Sequence, residues 1–111
     1  MKTLLNIDGN PIRQFYGELY CLNDLHKAAG GEERHKPRFW LRNILTQKLV
    51  KGLEAIRPVV IHVNHGGILS GTFACKELVF AYAMWISPEF YIRVITECPL
   101  IFSLQGKDNE K

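Results

Sequence analysis

Residues 66–93 have the sequence GGILSGTFACKELVFAYAMWISPEFYIR, and this stretch decides the fold. Gly66-Gly67 is typical of a hairpin tip, because glycine adopts backbone angles that other residues avoid. Apolar residues recur at i, i+4 and i+7 in the run that follows, which predicts a helix with a broad buried face over residues 75–86. Ser87 and Pro88 suit the cap and the first position of a second helix. The stretch therefore predicts a hairpin followed by two packed helices.

The composition is that of one compact, globular domain. The chain has 111 residues, of which 47% are hydrophobic and 23% are charged, and its formal net charge is +3. This mild positive charge permits an anionic partner without requiring one. The longest strongly apolar run, residues 78–86, is much shorter than the roughly 20 residues that a membrane span needs. We therefore expect a cytoplasmic protein with no membrane contact.

The sequence predicts short strands near the N-terminus and on both sides of the hairpin tip. Residues 4–7, 12–15 and 19–22 predict a small antiparallel unit at the N-terminus. The β-branched residues 59–63 and the returning residues 68–73 predict the two strands of the hairpin.

Two helical regions are predicted between these strands. Asn23 is a good cap for a first helix, which Gly30-Gly31 ends. Pro37 suits the first turn of a second helix over residues 37–44, and Thr46 is the best candidate for the cap of a further helical piece. The predicted order of elements is helix, glycine turn, second helix and hairpin. A winged helix-turn-helix module has the same order. The predicted fold is thus α+β: a small winged-helix-like domain with a helix-turn-helix, a β-hairpin wing and C-terminal packing helices.

Basic residues are concentrated in the second helical region. Residues 31–60 contain seven basic and three acidic residues, a net charge of +4 against +3 for the whole chain. Arg38 and Arg42, spaced i and i+4, are predicted to lie on one helical face that suits phosphates and guanine edges. Asn43 lies beside them and carries the amide group that pairs with adenine. A solvated helix face without a partner fits the same spacing, so charge alone leaves both interpretations open.

The sequence contains no recognisable catalytic or metal-binding motif. His62 and His65 have H-x-x-H spacing, but in a strand their side chains would point to opposite faces. Cys21, Cys75 and Cys98 are widely spaced, which favours reduced thiols over a zinc site or a disulfide framework. No G-x-S-x-G or P-loop motif occurs. We therefore expect no enzyme activity, no metal and no cofactor.

Four strings of the sequence match the pattern of one family. They are LNDLHKAAG at residues 22–30, FWLRN at residues 39–43, GTF at residues 71–73 and AYAMWISPEF at residues 81–90. With these strings the chain resembles the KilA-N domain of bacteriophages, prophages and large DNA viruses, a relative of the fungal APSES DNA-binding domains. The resemblance spans residues 4–96, which is most of the chain.

The resemblance implies a winged-helix-like fold that binds double-stranded DNA through the helix-turn-helix region and the glycine-rich hairpin. The DNA-contacting positions that it implies here are Arg42, Asn43, Gly66, Gly67 and Ser70. Physical reasoning about charge adds further basic residues of the same region: Arg34, Lys36, Arg38 and Lys48.

We predict a phage-type regulatory, antirepressor-like module whose partner is double-stranded DNA. The alternative is a protein-interaction module that titrates another regulatory protein without binding DNA itself. Residues 1–97 are assigned to the KilA-N-like DNA-binding domain, and residues 98–111 to a short atypical C-terminal tail. No motif predicts the DNA target, the oligomeric state or the regulated process.

Overall fold

The fold combines α-helices with short antiparallel strands. The computed structural model describes residues 5–15, 19–68 and 70–97, and the predicted tail at 98–111 lies outside these ranges. The strands are β1 (Leu5–Ile7), β2 (Asn10–Ile12), β3 (Gln14–Phe15), β4 (Leu19–Cys21), β5 (Ile61–Asn64) and β6 (Gly71–Ala74). The helices are α1 (Leu22–Ala28), α2 (Pro37–Leu41), α3 (Ile44–Glu54), α4 (Lys76–Ile86) and α5 (Pro88–Glu97), with a 3₁₀ turn at Glu33–His35. The predicted α+β class is confirmed.

The strands form two antiparallel sheets. β1 pairs with β2, and the larger sheet has the strand order β3-β4-β6-β5. Tyr20 pairs with Ala74 and Cys21 with Phe73, so that β4 is joined to β6. The predicted N-terminal antiparallel strands are therefore divided between two sheets, and β3 and β4 extend the sheet of the β5–β6 hairpin. This pairing attaches the hairpin to the body of the protein.

Helix α4 lies at the centre of the core. Its Leu78, Tyr82 and Ala83 are 0% exposed, as the predicted apolar face requires. Phe73 of β6 and Val94 of α5 are buried to the same extent. Full burial of a large apolar side chain contributes about 1.5–3 kcal/mol. The packing around α4 therefore holds the hairpin and α5 in one body.

The second helix is three residues shorter than predicted, and the further helical piece that follows it begins earlier than predicted. α2 ends at Leu41, and α3 begins at Ile44 after Asn43, whose backbone is extended at φ −66° and ψ 134°. The Asn43 Oδ1 accepts a hydrogen bond from the Leu45 N–H at 2.9 Å. This bond satisfies a donor at the start of α3 and favours a new helix over continuation of the old one. Thr46, the predicted cap, is instead buried in the first turn of α3.

The helices predicted at the end of the described chain are present. Cys75 immediately precedes α4, and Ser87 precedes α5. The Phe90 N–H donates to Ser87 Oγ at 3.0 Å, which confirms Ser87 as the cap of α5. Across residues 5–15, 19–68 and 70–97, no helix has the length and apolar character needed to cross a membrane.

Candidate nucleic-acid interface

Arg38 and Arg42 flank the ring of Phe39. Their guanidinium carbons lie 5.1 and 5.6 Å from the ring centroid. Arg38 belongs to α2, and Arg42 is the residue directly after its end. Such cation–π contacts contribute about 0.5–1 kcal/mol at exposed sites. Both arginines are exposed, and among the described residues neither forms an ion pair with an acidic side chain. The structure therefore brings two predicted cations together where an anion can reach them.

A cleft of about 310 Å³ lies between α1, the start of α2 and the hairpin. It is lined by Asn23, His26, Lys36, Pro37, Arg38, Leu41 and Thr72. Two of the predicted contact residues, Lys36 and Arg38, thus line the same cleft as Thr72, which lies on the returning strand of the hairpin. Because ammonium and guanidinium groups form strong charge-assisted hydrogen bonds with phosphate oxygens, this cleft suits a phosphate backbone.

Gly66 and Gly67 form the hairpin tip. Their φ angles are +78° and +79°, in the left-handed region that glycine adopts without steric cost. The Ser70 N–H donates to the Gly67 carbonyl oxygen at 3.2 Å and closes the turn. Both glycines are exposed, and a Cβ added at either position would meet no atom within 4 Å. The tip therefore combines a defined backbone geometry with open space for an approaching surface.

Arg34 and Lys36 each form an ion pair with a nearby glutamate. Arg34 Nε lies 2.9 Å from Glu32 Oε1, and Lys36 Nζ lies 3.2 Å from Glu33 Oε1. Exposed pairs of this kind contribute about 0–1 kcal/mol, so a phosphate can displace the glutamates. In the unbound protein, however, the two pairs reduce the net positive charge of the segment that precedes α2.

Sequence comparison identifies the family to which these elements belong. The profile of the KilA-N domain matches residues 4–102 of the 111-residue chain. The chain belongs to the KilA-N domain family. It is 39% identical over 75 residues to protein kilA of Escherichia phage P1, an alignment that covers 68% of this chain and 28% of that protein. The chain thus spans less than a third of that relative, and no solved structure gives a significant match.

Membership confirms the resemblance that the four sequence strings predict. KilA-N domains are phage-type regulatory domains that generally bind DNA, and they are not a family of enzymes. In the part of this KilA-N domain that the structure describes, no group of three or more histidine, cysteine, aspartate or glutamate side chains is arranged to hold a metal ion.

Of the nine predicted contact residues of the KilA-N domain, Lys36 and Arg38 line the cleft of about 310 Å³, which we call the charged cleft, and the other seven do not. Lys48 is exposed on α3, and Asn43 caps that helix. Asn43 borders a second cleft of about 170 Å³ between α3 and α4. This apolar cleft is lined by Trp40, Asn43, Leu45, Thr46, Leu49, Ala81 and Trp85. Lys36, which precedes α2, and Arg38 in its first turn thus line one cleft, and Trp40 of the same helix lines the other.

Replacement of Asn43 separates helix capping from base recognition. Its Oδ1 is already bonded to the Leu45 N–H, whereas pairing with adenine uses both the oxygen and the nitrogen of the amide. We expect Asn43→Ala to lower the free energy of unfolding by about 1 kcal/mol, and Asn43→Ser, which keeps a capping oxygen, to lower it much less. Urea denaturation measures both changes. If Asn43→Ser keeps its stability but alters the preference for one A·T pair, Asn43 also recognises a base.

The prediction that Asn23 caps the first helix is wrong, because Asn23 is the second residue of α1. Cys21 occupies the cap position of α1, and no side-chain cap bond forms there. The Asn23 Oδ1 instead accepts from the Thr72 N–H at 2.8 Å, which ties α1 to the returning strand of the hairpin. The two residues are 49 positions apart, so no local sequence signal predicts the contact.

Tyr82 supports the start of α2 from the core. Its hydroxyl donates to the His35 carbonyl oxygen at 2.6 Å, close to Pro37 at the start of α2. Its ring packs against Trp40, with 5.2 Å between the ring centroids. Burial raises the pKa of Tyr82 well above its ordinary value, so the hydroxyl stays protonated and remains a donor. The position of the basic residues at the start of α2 therefore depends on α4.

Tyr82→Phe tests this support. We expect the free energy of unfolding to fall by about 1 kcal/mol, because the ring packing is kept while one hydrogen bond is lost. Urea denaturation measures the change. Tyr91→Phe is the matched control, since the half-buried Tyr91 packs edge-on against Phe80 through its ring. An equal loss of stability in both variants would show that the bond to His35 has no particular weight.

Proposed function

We propose that this KilA-N domain binds double-stranded DNA as part of a phage-type regulatory protein. In this proposal α1, the turn that follows it and α2 act as a helix-turn-helix, and the β5–β6 hairpin acts as a wing. The observation that carries the proposal is the cleft lined by Lys36, Arg38 and Thr72, because it brings the basic helix beside the hairpin. Helix-turn-helix modules set one helix against the major groove and contact the backbone with neighbouring elements.

The cations and the glycine tip serve different contacts in this mechanism. The guanidinium groups of Arg38 and Arg42 offer planar forks of N–H donors that match phosphates and guanine edges. The ammonium group of Lys48 supplies a point charge for a phosphate farther along the duplex. The exposed tip at Gly66 and Gly67 lets a phosphate approach the backbone N–H groups closely. Most of the affinity then comes from phosphate contacts, independently of sequence.

Binding to a random-sequence duplex across a range of salt concentrations tests the proposal. The logarithm of the association constant falls with the logarithm of salt concentration by about 0.9 for each phosphate contact. A steep linear decrease supports the proposed interface, and absence of binding at the lowest salt would rule it out. Selection from a randomised duplex library then measures sequence specificity, because only base readout or shape readout enriches particular sequences.

A second candidate function is binding of another regulatory protein, and the apolar cleft beside α3 favours it. Leu45 is 74% exposed and Leu49 is 37% exposed in this cleft. Ile44 and Met84 are further exposed apolar side chains of α3 and α4. Burial of such side chains is a main driving force of protein association. Lys48 on α3 favours a partner segment that surrounds its apolar residues with acidic ones.

Association with a purified repressor protein in the absence of DNA tests this second candidate. Capture of the repressor by a domain that binds no DNA would favour it over the first. If the double variant Leu45→Ser, Leu49→Ser loses the repressor but keeps DNA binding, the partner occupies the apolar cleft and the two functions use separate surfaces. Capture that survives this double variant would place the partner elsewhere.

A further inference from the structure

Arg13 connects three parts of the chain that are distant in sequence. It lies between β2 and β3, and its Nε and Nη2 donate to the two carboxylate oxygens of Asp24 in α1 at 2.9 and 3.2 Å. Its Nη1 donates to the carbonyl oxygen of Ile68, beside the hairpin tip, at 2.8 Å. The guanidinium carbon lies 5.7 Å from the ring centroid of Phe73 in β6. One side chain therefore joins the N-terminal strands, α1 and the hairpin.

The α1 side of this connection is held by further hydrogen bonds. Asp24 Oδ2 also accepts from the backbone N–H of Arg13 at 2.9 Å, and the Asp24 side chain is only 15% exposed. The hydrogen bonds that Arg13 donates to Asp24 raise the pKa of Arg13, which therefore stays charged. The neighbouring Asn23 bonds the hairpin directly through the Thr72 N–H at 2.8 Å. Two consecutive residues of α1 thus hold the hairpin: Asp24 through Arg13, and Asn23 directly.

We infer that Arg13 is a positioning residue that, together with Asn23 and Asp24, holds the hairpin tip at the distance from α2 at which both contact one DNA duplex. The inference rests on the proposed DNA-binding function. Nε, Nη1 and Nη2 of Arg13 already have partners within the protein. Arg13 therefore acts through the hairpin, whereas the arginines flanking Phe39 are available to phosphates.

Gly71 offers an independent way to disturb the same connection. Its φ angle is +140°, a conformation that is strained for a residue with a Cβ. A Cβ at this position would lie 3.1 Å from Asn23 Oδ1, 3.2 Å from Cys21 Sγ and 3.5 Å from Arg13 Nη2. Gly71→Ala therefore displaces the hairpin from Asn23 and Arg13 without changing any charge.

The first experiment compares Arg13→Lys with the wild type. Lysine keeps the charge, but an ammonium group lacks the planar fork that bonds Asp24 and Ile68 together. We expect affinity for a random-sequence duplex to fall about threefold to tenfold, because binding must then order a loosened hairpin. Hydrogen exchange at the Thr72 amide should become faster, because its bond to Asn23 opens more often. Gly71→Ala should produce both effects.

The second experiment uses Arg13→Gln to distinguish positioning from direct phosphate contact. We expect its salt slope to equal that of the wild type, whereas Arg38→Gln should make the slope shallower by about 0.9. Arg93→Gln is the control for loss of a paired arginine, because Arg93 of α5 pairs with Asp8, which lies between β1 and β2. This control should leave the exchange rate of the Thr72 amide unchanged.

Two results would overturn the inference. One is a salt slope for Arg13→Gln as shallow as that for Arg38→Gln, which would make Arg13 a phosphate contact. The other is unchanged exchange at the Thr72 amide in both Arg13→Lys and Gly71→Ala. Failure of the wild type to bind any duplex would remove the proposed function, but faster exchange in these variants would still establish that Arg13 holds the hairpin.

Discussion

The double variant Arg38→Ala, Arg42→Ala is expected to bind double-stranded DNA more weakly than the wild type and with a shallower salt dependence. Both guanidinium groups lie against Phe39, and both arginines are exposed without an acidic partner among the described residues. Loss of two phosphate contacts reduces the slope of log K against log salt by about 1.8. The ratio of wild-type to variant affinity should therefore change about tenfold between about 50 and 200 mM salt.

Fluorescence anisotropy with a short random-sequence duplex measures this effect across a salt series. The matched control is Lys76→Ala, Arg93→Ala, which removes the same formal charge from α4 and α5 at positions that do not line the charged cleft. The control separates the effect of net charge from the effect of local contacts. An unchanged slope in the variant without Arg38 and Arg42, or an equal change in the control, would show that this face does not contact DNA.

The parts of the fold that sequence predicts correctly are those that depend on neighbouring residues. The apolar period of α4 predicts its buried face, and Leu78 and Tyr82 are indeed fully buried. Ser87 caps α5 as its chemistry predicts, because a capping side chain bonds a backbone N–H only three residues away. Gly66 and Gly67 have the positive φ angles that a hairpin tip requires. Each of these features is determined within about one helical turn or one β-turn.

The parts that sequence does not predict depend on pairing between distant segments. β4 joins β6 through residues more than 50 positions apart, and Arg13 reaches Ile68 over 55 positions. A polar residue such as Asn23 has the same propensity to cap a helix whether or not a strand later passes beside it. Tertiary contact decides which partner it takes, and here the partner is the Thr72 N–H.

The candidate site shows the same division between local and distant determinants. The basic excess of residues 31–60 is visible in the sequence, and it predicts where Arg38 and Arg42 occur. The break between α2 and α3 lies a few residues earlier than predicted, because Asn43, which is compatible with both a helix interior and a cap, takes the capping role expected of Thr46. The sequence also does not show which cations are paired. Glu32 and Glu33 precede Arg34 and Lys36 closely, but only the folded 3₁₀ turn brings each acid against one base.

These ion pairs lead to a prediction of tighter binding. We expect the double variant Glu32→Gln, Glu33→Gln to bind DNA more strongly than the wild type, because Arg34 and Lys36 no longer have to leave an acidic partner before contacting a phosphate. Each exposed pair contributes up to about 1 kcal/mol, so removal of one pair should increase affinity by up to about fivefold and removal of both by up to about thirtyfold. The gain should be largest at low salt, where exposed charges interact most strongly.

Two comparisons determine whether this gain comes from the released cations. Glu54→Gln, Glu89→Gln removes the same negative charge from exposed positions of α3 and α5, and it measures the effect of net charge alone. Introducing the substitutions of Glu32 and Glu33 into a protein that already carries Arg34→Ala and Lys36→Ala completes a double-mutant cycle. If the gain persists in that background, the acids merely repel DNA. If it disappears, Arg34 and Lys36 contact the duplex, and the pairs limit affinity in the wild type.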